Sequence, residues 1–263
     1  MESLATQISG PVAVIGDVHG QATKLITVLQ RIAQQPDFDN RWIVFIGDFV
    51  DRGPDPQSAI QIFFDLQKQH ARTTAVSGNH EFAMAASMGL IPTAEYSTWT
   101  EDWLRHYMSE STFASYNALH GDLNELQEKM PVHHREFIAE LPWVVEHPDY
   151  VFVHAGLDPN APYEMQMRIL HKKDFTLSRP QWLCSKTFVD SDVPFDCNKT
   201  VVSGHVPQRE VVMRKQRILC DTTGGTSGDL SCVLLPEMQV ITSGTAPLAH
   251  PTAAGKPSWW KIW

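Results

Sequence analysis

Five short clusters that combine glycine with carboxylate, amide or imidazole side chains recur along the chain. They are residues 16–20 (GDVHG), 47–53 (GDFVDRG), 78–81 (GNHE), 154–156 (HAG) and 204–205 (GH). Carboxylate oxygens and imidazole nitrogens bind divalent transition metals, and glycine lets the backbone approach an ion closely. Most of the clusters follow a run of β-forming residues, so we expect them to meet in a site that holds two metal ions.

The first two clusters offer ligands for a first ion and for a bridge between two ions. Asp17 and His19 are two residues apart in one turn, so both side chains can point at one ion. Asp48 follows the second predicted strand, and its two oxygens can bridge cations that lie about 3.5 to 4 Å apart. A second ion could take a neutral oxygen and two imidazoles, from Asn79, His154 and His205. Oxygen and nitrogen ligands without a nearby cysteine favour Mn, Fe or Zn over Ca, and we expect Mn to support activity in vitro.

Three further residues in these clusters suggest proton transfer and phosphate binding. His80 is adjacent to Asn79, and two neighbours in a tight turn rarely reach the same ion, so we expect His80 to protonate a leaving oxygen. Asp51 can orient His80 and raise its pKa, and Arg52 carries a planar donor fork that suits two phosphoryl oxygens. Any one cluster could be an ordinary turn, but five clusters in this order favour a functional site.

The elements that must position these residues follow a repeated order of strand, turn and helix. Strands predicted at 11–15, 42–46 and 73–76 each lead into a cluster, and apolar residues at helical spacing predict helices at 21–34 and 56–69. Such units predict parallel strands joined by right-handed crossovers, with their carboxyl ends at one edge of the sheet. Ligands gather at that edge.

Residues 82–148 interrupt this order and are predicted to form a helical insertion. Its Met84, Met88, Trp99 and Trp103 could line a substrate cleft, although their spacing is more typical of a plain core. Further helical segments are predicted at 123–130 and 134–141. Beyond the insertion, apolar runs predict a second, mostly antiparallel sheet, with strands at 150–153, 200–202, 211–213, 217–220, 230–235 and 238–242.

Composition is consistent with one large α/β catalytic domain, which we place at residues 1–243. The chain has 263 residues, of which 43% are hydrophobic and 19% charged, enough for a sizeable core. A tail at 244–263 lacks periodicity and ends in WWKIW, which either packs on the body or is a loose docking end. The formal net charge of −9, with no long basic run, argues against binding of bulk nucleic acid.

Cysteine usage and hydropathy indicate the cellular compartment of the protein. The four cysteines, Cys184, Cys197, Cys220 and Cys232, show no CxxC spacing, so we expect buried free thiols in a reducing compartment rather than a disulfide framework. The first ten residues do not resemble a signal peptide, and no apolar run is long enough to span a bilayer. We therefore predict a soluble, cytoplasmic protein, whose oligomeric state the sequence does not specify.

Taken together, GDVHG, GDFVDRG, GNHE, HAG and the later SGH resemble the signature of the calcineurin-like metallophosphoesterases. Within them the chain is similar to the phosphoprotein phosphatase family, including small bacterial and phage-type serine/threonine phosphatases. The resemblance spans about residues 12–235. It implies a two-sheet β-sandwich flanked by helices, and a dinuclear metal centre. It assigns roles to the following residues: Asp17, His19 and Asp48 for one metal, Asp48, Asn79, His154 and His205 for the other, Arg52 and Asn79 for phosphate, and His80 with Asp51 as the acid pair.

The chain departs from the family pattern at two places. Val206 follows the last Gly-His where the family usually has Thr, and residues 182–186 read WLCSK where many bacterial members have a Trp-Ile-Arg segment. A second phosphate-binding cation is therefore not assigned. The candidates are Arg168, Arg179 and Lys186.

The resemblance implies a phosphomonoester hydrolase in which a metal-bridging hydroxide attacks phosphorus directly. We expect a serine/threonine protein phosphatase with a phosphoprotein substrate, and small phosphoesters are also expected to be cleaved. The alternative is a symmetrical diadenosine tetraphosphate hydrolase, but those relatives commonly lack the Asp that this chain has at position 51. A metal-free binding module is a third possibility, disfavoured because all six candidate ligands are present.

Overall fold

The structure is a computed structural model, and it describes residues 3–244 of the chain. In this range the strands are β1 (Val12–Ile15), β2 (Trp42–Phe45), β3 (Thr73–Ala75), β4 (Val145–Glu146), β5 (Tyr150–Phe152), β6 (Thr200–Ser203), β7 (Val212–Arg214), β8 (Arg217–Leu219), β9 (Ser231–Leu235) and β10 (Gln239–Thr242). The α-helices are α1 (Ala22–Ile32), α2 (Pro56–Gln69), α3 (Asn79–Ser87), α4 (Trp99–His106), α5 (Glu110–Ser115), α6 (Leu123–Lys129), α7 (Val132–Glu140), α8 (Tyr163–Lys172) and α9 (Gln181–Cys184).

The first sheet confirms the predicted parallel strands. Its order is β10-β9-β1-β2-β3, with β1 parallel to β2 and β2 parallel to β3. The first crossover helix is α1, and the second is α2, whose bounds agree with the prediction. Asp55 accepts a hydrogen bond from the backbone N–H of Ser58 (3.0 Å) and Pro56 occupies the first turn, which explains why α2 begins there.

The predicted second sheet is wrong in two respects. The last two apolar runs form β9 and β10, which join the first sheet, where β9 lies antiparallel to β1. The second sheet has the order β4-β5-β6-β8-β7 and is mixed, because β5, β6 and β8 are parallel while β4 and β7 are antiparallel edges. A hairpin-like pattern of apolar runs does not specify which distant strand each run pairs with, so the error is one of long-range pairing.

The two sheets pack face to face, and helices cover the outer face of the first sheet. Alternate residues of β1 divide between two cores, since successive side chains in a strand point to opposite faces. Ala13 and Ile15 lie in the core beneath the helices, whereas Val12 and Val14 pack against residues of the second sheet such as Phe152. The predicted sandwich flanked by helices is confirmed.

Residues 82–148 contain α4 to α7, together with most of α3 and the short strand β4. The predicted Trp and Met residues are buried in the helical core, as expected for core packing: Met84, Met88, Trp99 and Trp103. All four cysteines are buried and unpaired, as predicted. Among the described residues, no helix combines the length and hydropathy needed to cross a membrane. Of the predicted tail at 244–263, residues 245–263 lie outside the described residues.

Candidate metal centre

The five clusters converge on one buried edge of the two sheets. They follow β1, β2, β3, β5 and β6, so each strand ends where a candidate ligand begins. Asp48 lies at the centre. Its Oδ2 atom is 3.4 Å from Nε2 of His19 and 3.4 Å from Nε2 of His154. Two groups of possible ligands therefore share one carboxylate: His19, Asp48 and His80, and Asp48, His154 and His205.

Asn79 joins the second group through its side-chain oxygen. Oδ1 of Asn79 lies 3.1 Å from Nε2 of His154 and 2.8 Å from Nδ1 of His205. Ligand atoms at about 2.0 to 2.2 Å from one ion lie about 3 Å from one another, so these spacings suit a shared cation.

The hydrogen bonds of two imidazoles are those expected of metal-binding histidines. Nδ1–H of His19 donates to the carbonyl oxygen of Val50 (2.9 Å), and Nδ1–H of His154 donates to that of Ile46 (2.8 Å). Each bond directs the Nε2 atom toward Asp48, which is how proteins orient histidines for a metal. Oδ1 of Asp17 is buried and has no hydrogen-bond partner. The donor set fits two divalent ions.

Backbone strain accompanies the site. Nine non-glycine residues in the described range have positive φ, and five are candidate site residues: His19 (43°), Asp48 (52°), Asp51 (68°), Arg52 (65°) and His205 (68°). Such conformations cost about 1 to 3 kcal/mol each and concentrate at functional sites. Glycine is required nearby, because a Cβ atom at Gly204 would lie 1.8 Å from Oδ1 of Asp17.

Charge in the site is concentrated on Asp48 and His154. Burial would raise the pKa of Asp48, but the imidazoles, His154 foremost, lower it well below its ordinary value. For His154, burial acts to lower the pKa, but the Asp48 carboxylate raises it to about 10. Burial lowers the pKa of His19 and brings that of His205 to about 3. These shifts favour neutral His19 and His205, which is the form that binds metals, whereas His154 would have to lose a proton to bind one.

Glu81 supports the site, although sequence analysis assigned it no role. Its carboxylate accepts four backbone N–H groups, from Asp48 (2.8 Å), Phe49 (2.7 Å), Val50 (3.1 Å) and Gly78 (3.0 Å). Burial and the charge of Asp48 raise the pKa of Glu81 to about 7, although the N–H groups act to lower it. Glu81 thus holds together the loops after β2 and β3. The sequence feature that could have indicated this role is its position next to His80 in the GNHE cluster.

His80 and Asp51 form a buried hydrogen-bonded pair beside the ligands. Nδ1–H of His80 donates to Oδ2 of Asp51 at 2.8 Å, while Nε2 of His80 lies 3.9 Å from Oδ2 of Asp48. Burial raises the pKa of Asp51 to about 7, against hydrogen bonds from Thr112 and Trp103 that act to lower it. Burial also lowers the pKa of His80 to about 3. Both pKa shifts favour the neutral forms of the two side chains. A protonated His80 beside an ionised Asp51 therefore depends on the hydrogen-bond donors that stabilise the Asp51 carboxylate.

Arg52 lies at the same edge. Its Nη1 atom donates to Nε2 of His19 (3.1 Å) and to the carbonyl oxygen of Gly224 (3.3 Å). Arg168, Arg179 and Lys186 are all exposed. A chain of contacts connects Arg179 to the acid pair. Its guanidinium carbon is 5.8 Å from the centre of the Trp99 ring, and Trp99 packs against Tyr107, which contacts His80.

A second acidic residue that sequence analysis left without a role is Asp221, in the DTTGG stretch. It is fully buried and accepts backbone N–H groups from Thr223 (3.2 Å) and Gly224 (3.0 Å). Burial raises the pKa of Asp17 well above its ordinary value, and the charge of Asp221 adds to the effect. A cation at Asp17 would relieve this concentration of negative charge.

Two sequence relatives are protein phosphatases. The chain is 37% identical over 81 residues to a protein phosphatase 2A catalytic subunit of Dictyostelium discoideum, covering 30% of this chain and 25% of the relative. It is 35% identical over 82 residues to serine/threonine-protein phosphatase SIT4 of Candida albicans, covering 30% and 26%. These matches therefore span about a quarter of each relative.

Solved structures share the fold. A protein assigned as a diadenosine tetraphosphatase aligns with a TM-score of 0.59 at 20% identity, covering 90% of this chain and 97% of that chain. A Saccharomyces cerevisiae serine/threonine phosphatase similar to human phosphatase PP5 aligns with a TM-score of 0.56 at 16% identity, covering 95% and 86%. A model of one family, described as calcineurin-like phosphoesterase, matches residues 10–224, a range that includes all five clusters. The chain belongs to the calcineurin-like phosphoesterase family.

Proposed function

We propose that the protein is a metal-dependent phosphomonoesterase that acts on phosphoserine and phosphothreonine in proteins. The observation that carries this proposal is the 2.8 Å hydrogen bond between His80 and Asp51, placed directly beside the candidate metal ligands. A buried imidazole held by a carboxylate is suited to protonate a departing oxygen. Family membership and the names of the sequence relatives support phosphate ester hydrolysis.

Six residues would hold the two ions, with Asp48 as the bridge: Asp17, His19, Asp48, Asn79, His154 and His205. When bound, two divalent cations supply Lewis-acid polarisation of phosphoryl oxygens and acidify a water molecule. We infer Mn, Fe or Zn from the mixture of oxygen and nitrogen donors.

The chain's own residues would bind the phosphate and deliver the proton. Arg52 supplies a planar pair of donors for two phosphoryl oxygens, and the Asn79 side chain lies close enough to the ligands to contact a third. Nδ1 of His80 is occupied by Asp51, which leaves Nε2 to give its proton to the leaving oxygen. Asp51 stabilises the charge on His80 before the transfer and fixes the orientation of its ring.

The acid pair favours a protein phosphatase over a dinucleoside polyphosphate hydrolase. Serine and threonine leave as alkoxides, which are strong bases and must be protonated as the ester bond breaks. A nucleotide phosphate leaves as a much weaker base and gains little from an acid. Asp51 and His80 are therefore more useful for a phosphoprotein substrate.

A rate comparison tests the proposal. The metal-loaded protein is assayed with a phosphoserine peptide, a phosphotyrosine peptide and diadenosine tetraphosphate at equal metal content. We expect the highest kcat/KM on the phosphoserine peptide, and a larger loss on this peptide than on the tetraphosphate in an Asp51→Asn variant. A preference for diadenosine tetraphosphate that Asp51→Asn leaves unchanged would overturn the proposal.

We also place the protein in the reducing cytoplasm, without a role on bulk nucleic acid. Four buried, unpaired cysteines support the compartment. The net charge of −9 opposes binding to a phosphate backbone. Cell fractionation and a nucleic-acid filter-binding assay test the two statements.

A further inference from the structure

The segment from Trp103 in α4 to Thr112 in α5 holds Asp51 and Arg52 through four hydrogen bonds. Trp103 Nε1–H donates to Oδ2 of Asp51 at 2.8 Å, and the Thr112 hydroxyl donates to Oδ1 of Asp51 at 2.5 Å. The Thr112 hydroxyl oxygen also accepts the backbone N–H of Asp51 at 2.9 Å. The carbonyl oxygen of Met108 accepts the backbone N–H of Arg52 at 3.1 Å.

These contacts act on a strained part of the backbone. Asp51 and Arg52 are consecutive residues with φ of 68° and 65°. Non-glycine residues persist in this region only where the surroundings hold them there. Asp51, Trp103 and Thr112 are each fully buried, so solvent offers no alternative partners. The hydrogen bonds from the segment between Trp103 and Thr112 therefore help to hold Asp51 and Arg52 in this strained conformation.

The same contacts determine how the Asp51 carboxylate faces His80. Oδ2 of Asp51 receives two donors, Nε1–H of Trp103 and Nδ1–H of His80, each at 2.8 Å. Oδ1 is directed to Thr112, so the carboxylate cannot rotate without breaking a buried hydrogen bond. Tyr107, which lies between Trp103 and Thr112 in sequence, packs edge-on against the His80 ring with centroids 4.7 Å apart.

We propose that Trp103 and Thr112 are positioning residues of the acid pair, which hold the Asp51 carboxylate in the place where it orients the His80 ring toward the leaving oxygen. Neither residue touches the substrate, and both act through Asp51. This inference rests on the proposed function, because it needs a reaction in which a leaving oxygen is protonated. It also gives the helical insertion a part in the chemistry, through Asp51.

The test compares two substrates that differ in their need for an acid. A phosphoserine peptide has an alkoxide leaving group, whereas p-nitrophenyl phosphate has a weakly basic one. For Trp103→Phe and Thr112→Val we expect kcat on the peptide to fall about tenfold, roughly the factor for one hydrogen bond to a charged group. The loss on p-nitrophenyl phosphate should be at least about threefold smaller, with KM and metal content near those of the wild type.

Matched variants separate positioning from general damage. Trp99→Phe removes another buried indole of α4, whose N–H donates to the carbonyl oxygen of Ser178 at 3.0 Å rather than to Asp51. It should change the rates on the two substrates by equal factors. Thr112→Ser keeps the hydroxyl and should restore the peptide rate lost in Thr112→Val. If Trp103→Phe folds poorly, the Thr112 pair of variants decides the outcome.

A double variant connects the effect to Asp51. In an Asp51→Asn background, Trp103→Phe should cause less than about a twofold further loss on the peptide, because residues that act through one another are not additive. Two results would overturn the positioning role. One is equal losses on the two substrates, and the other is a full tenfold further loss when Trp103→Phe is added to Asp51→Asn. If Asp51→Asn alone shows no difference between the substrates, the proposed function fails instead, so the two failures are distinguishable.

Discussion

Replacing Glu81 by glutamine tests whether one carboxylate holds together the loops that carry the candidate metal ligands. Oε2 of Glu81 accepts the backbone N–H groups of Asp48 and Gly78, and Oε1 accepts those of Phe49 and Val50. Glutamine has the same shape but only one acceptor oxygen. Its NH₂ group would therefore face two buried N–H donors, whichever way the amide turns.

The magnitude follows from these contacts. Two hydrogen bonds are lost and two buried N–H groups are left without a partner, at about 1 to 3 kcal/mol each. Removing the charge of Glu81 offsets much of this cost, because the rise of its pKa from 4.5 to about 7 corresponds to roughly 3 kcal/mol against the ionised form. We expect Glu81→Gln to lower the free energy of unfolding by about 1 to 3 kcal/mol, and to weaken metal binding because Asp48 is no longer held.

The measurement is urea unfolding of the metal-free protein at pH 8, where the wild-type carboxylate, whose pKa is raised to about 7, is ionised. Glu128→Gln, at an exposed position of α6, is the matched control and should change stability by less than about 0.5 kcal/mol. Isothermal titration with Mn²⁺ then compares metal affinity. A loss in Glu81→Gln no larger than that of the control would refute the reasoning.

Four further outcomes are expected. Chelation should abolish hydrolysis of a chromogenic phosphate ester and Mn²⁺ should restore it, whereas activity that ignores the chelator would contradict a metal-dependent site. His80→Ala should retain wild-type metal content while kcat falls by roughly 100-fold or more; loss of one metal equivalent would make His80 a ligand. Because Asp48 raises the pKa of His154 to about 10, metal binding at pH 7 should release a proton, seen as a dependence of titration heat on buffer ionisation enthalpy. Burial would raise the pKa of Glu146, but hydrogen bonds, first that of His171, lower it from 4.5 to about 2. The stability that this carboxylate contributes to the fold is therefore fully present above pH 4.5 and is lost as the pH falls toward 2. Glu146→Gln should therefore reduce the loss of stability between pH 6 and pH 3 by about 2 kcal/mol in urea unfolding, and identical pH dependence of the two proteins would count against this role.

Local patterns in the sequence were enough to predict the repeated units and the candidate ligands. Apolar runs that end in glycine predicted β1, β2 and β3 closely, and the helical period of the next segments predicted α1 and α2. These signals are local, because strand and helix periods depend on neighbouring residues. Parallel strands bring their carboxyl ends to one edge, so the convergence of the clusters also followed from the sequence.

Pairing between distant strands could not be predicted in the same way. Residues 230–235 are apolar enough to be buried in either sheet, and the choice is made by packing against β1, more than 200 residues earlier in the chain. The sequence of an apolar run does not specify which strand it pairs with, which explains why β9 and β10 were assigned to the wrong sheet.

The sequence by itself determined the types of ligand, the order in which strands deliver them, and the family to which the chain belongs. Only the tertiary structure decided which residues hold those ligands in place. Glu81, Trp103 and Thr112 act on residues 31 to 61 positions away through buried hydrogen bonds, and nothing in their local sequence specifies those partners. The left-handed backbone of Asp51 and Arg52 likewise exists because the fold supplies these contacts, since an isolated chain would relax to a less strained conformation.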